Sequence, residues 1–256
     1  MKKFFIQTKD FEIAHDFSFH LIQAIKYQNW YYNEQQYDYM FEHDEYDEYM
    51  NSMIKGRNYI PIGSVEFVLD FYKNHYGIDN IKPINIPEEL RRRDYDKDFL
   101  KRNVFYSHIN DLYEGNHPVP MFIKSMDKIK GFTDIVKSKN EITEGNYMIS
   151  DVIDNIYSEW RGFVYDKKLL DLRCYSGEFD IFPDIKLVWD MIREYKNSPK
   201  AYTIDIGVNE KGTFLIEIHQ FFSCGLYGFA DYRVLPQMFI SCHNEILNKN
   251  NILKPN

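Results

Sequence analysis

Two apolar runs, YTIDIGV from Tyr202 to Val208 and GTFLIEIHQ from Gly212 to Gln220, each carry an acid where a core residue would ordinarily sit. Burying an unpaired carboxylate is costly, so acids inside apolar strands ordinarily meet a cation. The register across the intervening turn decides whether they meet the same one. With a three-residue turn Glu210-Lys211-Gly212 and a left-handed, bulged Gly212, Asn209 faces Thr213, Asp205 faces Glu217 and Thr203 faces His219. Asp205, Glu217 and His219 then share one face, whereas a plain even-numbered turn would move Asp205 to the other face. Two opposed carboxylates with a third ligand suit magnesium, which binds oxygen and keeps waters or substrate phosphates in its remaining positions. The plainer reading pairs the same acids with lysines.

A second candidate is the strand SEWRGFVY, Ser158 to Tyr165. Alternation puts Glu159, Arg161, Phe163 and Tyr165 on one face and Trp160, Gly162 and Val164 on the other. Arg161 beside Glu159 is either a sheet salt bridge or a guanidinium held by a carboxylate to orient an anionic ligand. A third is MFIKSMDKIKGFT, Met121 to Thr133, where Lys124 closes an apolar strand and Lys128, Lys130 and Gly131 follow in a loop. Ammonium groups near a flexible glycine suit a polyphosphate, although lysine at a strand end is commonplace. Arg102 is a further single candidate for an anion contact, and Glu66 for a place facing a cleft.

Several chemistries have no signature. The chain contains no GxxxxGKS or GxxxxGKT, no GxGxxG, no HExxH and no GxSxG. Cys224 has no histidine and acid arranged to activate it and reads as a small buried residue. Cys174, Cys224 and Cys242 are too few and scattered for a disulfide framework or a zinc site, which favours a reducing compartment.

The elements that must position these residues follow from pattern. A helix is predicted around Phe17 to Trp30, and a short extended piece, YIPIGSVEFV, leads into a helix through Tyr72. The tyrosine- and acid-rich run from Tyr31 to Tyr49 reads as a solvated helix face. Pro87-Glu88-Glu89 suits a helix start, and Arg91 to Arg93 a surface helix face. Short strands are predicted at 119–124, 147–153, 159–165, 169–175, 202–208 and 213–222, with a helix at 186–195 whose Val188, Trp189, Met191 and Ile192 have core-facing spacing. The layout is α+β with a mostly antiparallel sheet.

A chain of 256 residues with 44% hydrophobic content can bury a substantial core as one large domain or two packed lobes. Its 39 acids against 31 bases give a charge of -8, which opposes wrapping a nucleic-acid backbone. The opening MKKFFIQTKD is too short in its apolar run for a signal peptide, and no stretch approaches the roughly 18 apolar residues of a membrane span. The cytoplasm of a bacterial or phage-infected cell is the expected location.

In order and spacing, YIPIGSVEFV, FIKSMDKIKGFT, SEWRGFVYDKKL, YTIDIGV and FLIEIHQFFSCGLYG resemble the ATP-grasp superfamily, and within it the R2K clade met often in bacteria and their phages. The resemblance runs from about Tyr59 to Gly228. It implies two lobes of mostly antiparallel sheet gripping ATP, with residues 1–57 an unassigned N-terminal segment and 58–256 the ATP-grasp-like domain. Within that domain it implies an N-terminal part at 58–117, a nucleotide-binding lobe at 118–153 and a metal-binding lobe with the tail at 154–256.

The resemblance further implies that Lys124 and Lys130 bind phosphates, that Arg161 lies near the phosphates or an acyl-phosphate, and that Arg161 and Lys130 serve catalysis. Ser150, Asp151 and Ile153 fall on the interlobe hinge, where the main chain of Asp151 and Ile153 would bond adenine. Asp205 and Glu217 would hold magnesium. His219 stands where the family usually has asparagine, and as a nitrogen ligand it contributes weakly to the metal, leaves Gln220 or a water in its place, or tunes the site toward manganese. The implied activity joins a small-molecule or peptide carboxylate, or a protein terminus, to an amine through an acyl-phosphate. The alternative is an ATP-binding assembly or regulatory factor without ligase activity. Neither a nucleic-acid nor a membrane partner is expected.

Overall fold

The computed structural model describes residues 1–42, 59–91, 98–114, 119–138, 142 and 144–252. One four-stranded sheet carries most of the candidate residues and runs in the order β11-β10-β12-β13, with β10 at Ser158–Tyr165, β11 at Lys168–Gly177, β12 at Ala201–Asn209 and β13 at Gly212–Gln220. All the pairings in it are antiparallel. β12 is central and buried at all nine positions. Its even residues Tyr202, Ile204 and Ile206 join Trp160, Val164 and the helix Ile185–Glu194 in one core. That helix starts because Asp184 accepts from the amides of Lys186 and Leu187, and it buries Val188, Met191 and Ile192 at the predicted spacing. Close packing leaves no room for a Cβ at Gly207, where it would lie 2.3 Å from the Phe214 ring.

A second antiparallel sheet, order β6-β9-β7-β8, comprises Val104–His108 (β6), Met121–Ser125 (β7), Thr133–Val136 (β8) and Asn146–Asp151 (β9). Ile109, Met121, Ile123, Tyr147 and Ile149 form its own small core. The mixture of helices with largely antiparallel sheets agrees with the expected α+β class.

The N-terminal residues hold a parallel sheet that the sequence pattern does not announce. Lys2–Ile6 (β1), followed by the short pair Thr8–Lys9 (β2) and Glu12–Ile13 (β3), lies between Tyr37–Phe41 (β4) and Tyr59–Ile62 (β5), so residues on both sides of position 57 share one sheet. In the tyrosine-rich run Tyr31 ends the helix Asp16–Tyr31 and Tyr37–Phe41 is a strand, not a helix face; residues 43–49 lie outside the described residues. Phe4, Ile6 and Ile60 pack with Leu21 and Ile25 of the helix Asp16–Tyr31 and with Met238 and Phe239 of the helix Leu235–Lys249. The helix Val65–Tyr76 follows β5, capped by Ser64, whose hydroxyl accepts from the Phe67 amide, and closed by left-handed Gly77. Pro87 begins only a short 3-10 turn, Glu88–Leu90, and Arg92, Arg93 and the acids beside them lie outside the described residues.

Candidate functional site

Asp205 stands opposite Glu217 and Thr203 opposite His219, as expected, but the extra residue is not in the turn. Asn209 pairs with Gly212 across two turn residues, and the register shifts between Ile206 and Asp205, so Ile216 is the bulged residue. A plain ladder from this turn would have put Ile216 opposite Asp205. The bulge delivers Glu217 there instead, while Gly212, at φ +94°, supplies the tight turn.

Around this pair the site is dense in charge. Arg161 lies opposite Asp205 in register and grips it with two bonds, Nε to Oδ1 at 2.8 Å and Nη2 to Oδ2 at 2.7 Å. The expected pairing with Glu159 is not made; Glu159 accepts from the Tyr175 hydroxyl at 2.7 Å, because the cross-strand neighbour on β12 lies closer to the guanidinium than the residue two positions along β10. The Arg161 guanidinium also lies over the rings of Tyr175 and Tyr227. Lys124 of β7 pairs with Glu217 Oε2 and so joins the two sheets. His219 Nε2 is 3.2 Å from Glu217 Oε1 and 3.5 Å from Asp205 Oδ2.

These contacts set the protonation states. Burial pushes the Glu217 carboxyl up, but His219 and Lys124 outweigh it and hold it at about 2. Burial acts likewise on Asp205, and Arg161 and His219 overcome it, so its carboxyl is lowered. Burial lowers His219, while its bonds to Asp205 and Glu217 dominate and raise it to about 9. The imidazole is thus a cation at neutral pH.

One ligand atom from each of Asp205, Glu217 and His219 lies within 4.8 Å of the others. The two carboxylates fit a hard divalent cation; the imidazole fits only after losing its proton, and until then it acts as a counter-charge. Magnesium is therefore matched by Asp205 and Glu217, and a softer ion such as manganese is the better match for His219.

Two hollows meet at Lys124. One, of about 240 Å³, has walls of Phe122, Met148 and Ile216 and includes Ser150, Asp151 and Ile153. The Asp151 amide donates to the Asn103 oxygen at 3.2 Å, and its oxygen accepts from Ser150 Oγ at 2.9 Å. The other, of about 230 Å³, is lined by Lys124, Lys128, Lys130, Arg161 and His219. Lys130 stands apart from the charged group, with its ammonium 3.0 Å from Glu66 on the helix Val65–Tyr76. Cys224 is buried in the wall of this hollow, where loss of solvent raises its thiol to about 12.

Sequence reasoning undervalued Arg102. It is buried and donates to the main-chain oxygens of Leu100 (3.2 Å), Leu215 (2.8 Å) and Ile216 (3.2 Å), rather than waiting for an anion. Nothing in the spacing around Arg102 signals this, because two of the three carbonyls it meets are 113 and 114 residues away.

No curated protein matches the chain in sequence. Among solved structures, it is similar to D-alanine--D-alanine ligase from Bacillus anthracis, at 12% identity and a TM-score of 0.51 over 97% of this chain and 98% of that one. It is also similar to N5-carboxyaminoimidazole synthetase from Staphylococcus aureus, at 11% identity and a TM-score of 0.50 over 94% and 77% of the two chains. At such identities the likeness speaks for the fold alone. Residues 99–236, which hold both four-stranded sheets and the charged group between them, match the ATP-grasp domain of R2K clade family 2, and the chain belongs to that family.

Proposed function

We propose that the protein is an ATP- and magnesium-dependent ligase that joins a carboxylate to an amine. The observation that carries this reading is the convergence of Lys124, Arg161, Asp205 and Glu217, from two antiparallel sheets, beside an apolar hollow wide enough to receive a flat base. The fold, shared with proteins named as a ligase and a synthetase, supports it.

In this reading the base lies between Phe122, Met148 and Ile216 near Ser150, Asp151 and Ile153, and Lys124 and Lys130 neutralise the phosphates. Magnesium, held by Asp205 and Glu217, neutralises further phosphate charge when bound. The substrate carboxylate oxygen attacks the γ-phosphorus, the bond to the bridging oxygen breaks, and ADP leaves. The amine nitrogen then attacks the acyl carbon and inorganic phosphate leaves with the electron pair, while the nitrogen sheds a proton. Arg161, its guanidinium fixed by Asp205, orients the carboxylate and the acyl-phosphate; the protein's part is positioning and charge neutralisation. The acceptors of this chemistry are small molecules, peptides or a protein terminus.

A second reading, an ATP-gripping assembly or regulatory factor that ligates nothing, draws on one observation: His219 is charged and engages both metal carboxylates. The thermal midpoint tests the nucleotide site. A rise that requires ATP and magnesium together, and is absent in Asp205→Asn and Glu217→Gln, supports it, and no rise at millimolar nucleotide sinks it. ADP release that depends on an added carboxylate and amine separates the ligase from the factor.

A further inference from the structure

The second hollow is lined by cations and by neutral polar side chains, and among the latter Asn85 keeps a buried oxygen without a partner. Asn85 is 1% exposed, and its Oδ1 has no hydrogen-bond partner among the described residues. Its Nδ2 donates toward the Ser125 oxygen (3.3 Å) and the Met126 sulfur (3.0 Å), which fixes which end of the amide is the orphan. The residue sits at φ +54°, and its own main-chain oxygen accepts from the Ile218 amide at 2.8 Å. Asn85 is therefore tied to β13 one residue from His219, in a left-handed conformation that asparagine adopts more readily than most residues. A buried amide oxygen left unpaired costs about 1–3 kcal/mol, so an acceptor held this way calls for a donor.

Resting on the ligase reading above, we propose that Asn85 Oδ1 receives an N–H of the amine substrate, and that the Asn85 wall of the cationic hollow is the seat of the nucleophile. The chemistry fits. The phosphates and the carboxylate are anions and take Lys124, Lys128, Lys130 and Arg161, whereas an amine finds no acceptor in those side chains. The nitrogen must be uncharged to attack, with its lone pair toward the acyl carbon. A carboxylate at this position would favour the ammonium form, which has no lone pair; an amide oxygen holds an N–H without that bias. Asn85 takes no proton in the step and acts by orientation.

Glycinamide, a primary amine whose capped carboxyl cannot compete for the cations, is the probe. Thermal midpoints are recorded first with ADP and magnesium, then with added glycinamide, for the parent, Asn85→Gly and Asn85→Asp. Glycine tolerates the left-handed backbone and deletes the acceptor; aspartate keeps the acceptor and loses the amide donor to Ser125. Glycinamide raises the parent's midpoint, binds Asn85→Gly about tenfold more weakly, the worth of one hydrogen bond, and binds Asn85→Asp at least as tightly. No rise in the parent, equal affinity in Asn85→Gly, or an equal loss in Asn85→Asp, which would trace the effect to the contacts with Ser125 and Met126, overturns the proposal. Absence of the ADP-magnesium shift itself would instead overturn the ligase reading on which it rests.

Discussion

Arg102 Nη2 donates to the main-chain oxygen of Ile216, the one residue that β13 bulges out to bring Glu217 opposite Asp205. A bulge frees a carbonyl from the ladder, and a buried carbonyl needs a donor. The guanidinium supplies it and serves Leu100 and Leu215 as well. Replacing Arg102 with Met removes these donors and is expected to lower stability by about 2–4 kcal/mol, read from urea denaturation. The same variant weakens the magnesium-dependent part of nucleotide binding more than the magnesium-independent part, because the bulge holds Glu217.

Asp205 is expected to behave as a partner before it behaves as a ligand. Asp205→Asn leaves Arg161 and His219 facing an amide in a buried setting, and breaking such a pair costs about 3–5 kcal/mol. Differential scanning calorimetry without nucleotide measures the loss. Little change there would mean that solvent already reaches the pair.

Lys130 offers the opposite case. Both it and Glu66 are more than half exposed, at 60% and 64%, and an exposed ion pair contributes about 1 kcal/mol at most. Lys130→Ala is therefore expected to leave the midpoint of the free protein nearly unchanged while weakening ATP. A titration of the variant with ATP and magnesium checks this, and unaltered affinity removes Lys130 from the phosphate set.

His243, buried between Tyr72 and Tyr76 and bonded to the Tyr72 hydroxyl at 2.9 Å, gives a pH dependence. Loss of solvent lowers it from 6.5 to about 3. The folded protein therefore binds fewer protons here than the unfolded chain between these values. This contribution to stability is fully present above pH 6.5 and falls, by about 1.4 kcal/mol per pH unit, as the pH drops toward 3. Denaturant midpoints of the parent and His243→Gln from pH 7 to 5 would show the variant with the shallower slope.

Gly207→Ala would drive a methyl into the Phe214 ring, two positions along β12 from Asp205. Overpacking of this kind costs about 1–3 kcal/mol, measurable as a lowered thermal midpoint.

The charged group was legible because buried acids in apolar strands are conspicuous, and because only two registers were open to Asp205 and Glu217. The position of the bulge was not legible. A turn with Gly212 and a bulge at Ile216 give the same pairing, and the donor that meets the bulged carbonyl, Arg102, is distant in sequence. Arg161 was legible by type but not by partner, since Asp205 reaches it only across strands. The parallel sheet of Lys2–Ile6, Tyr37–Phe41 and Tyr59–Ile62 escaped for a related reason. Parallel neighbours have no shared turn to mark them, and acids and tyrosines in the middle strand's partner mimic a solvated helix.

Lys124 and Glu217 belong to different sheets, and their pair is a cross-link that an incoming phosphate must compete with. On the ligase reading proposed above, nucleotide entry would be an exchange of counter-ions, with phosphate taking over Lys124 as metal takes over Glu217. Such an exchange leaves net charge nearly balanced at every stage. It makes the affinity for nucleotide and for metal rise and fall together, so neither ligand alone should hold the sheets as firmly as both.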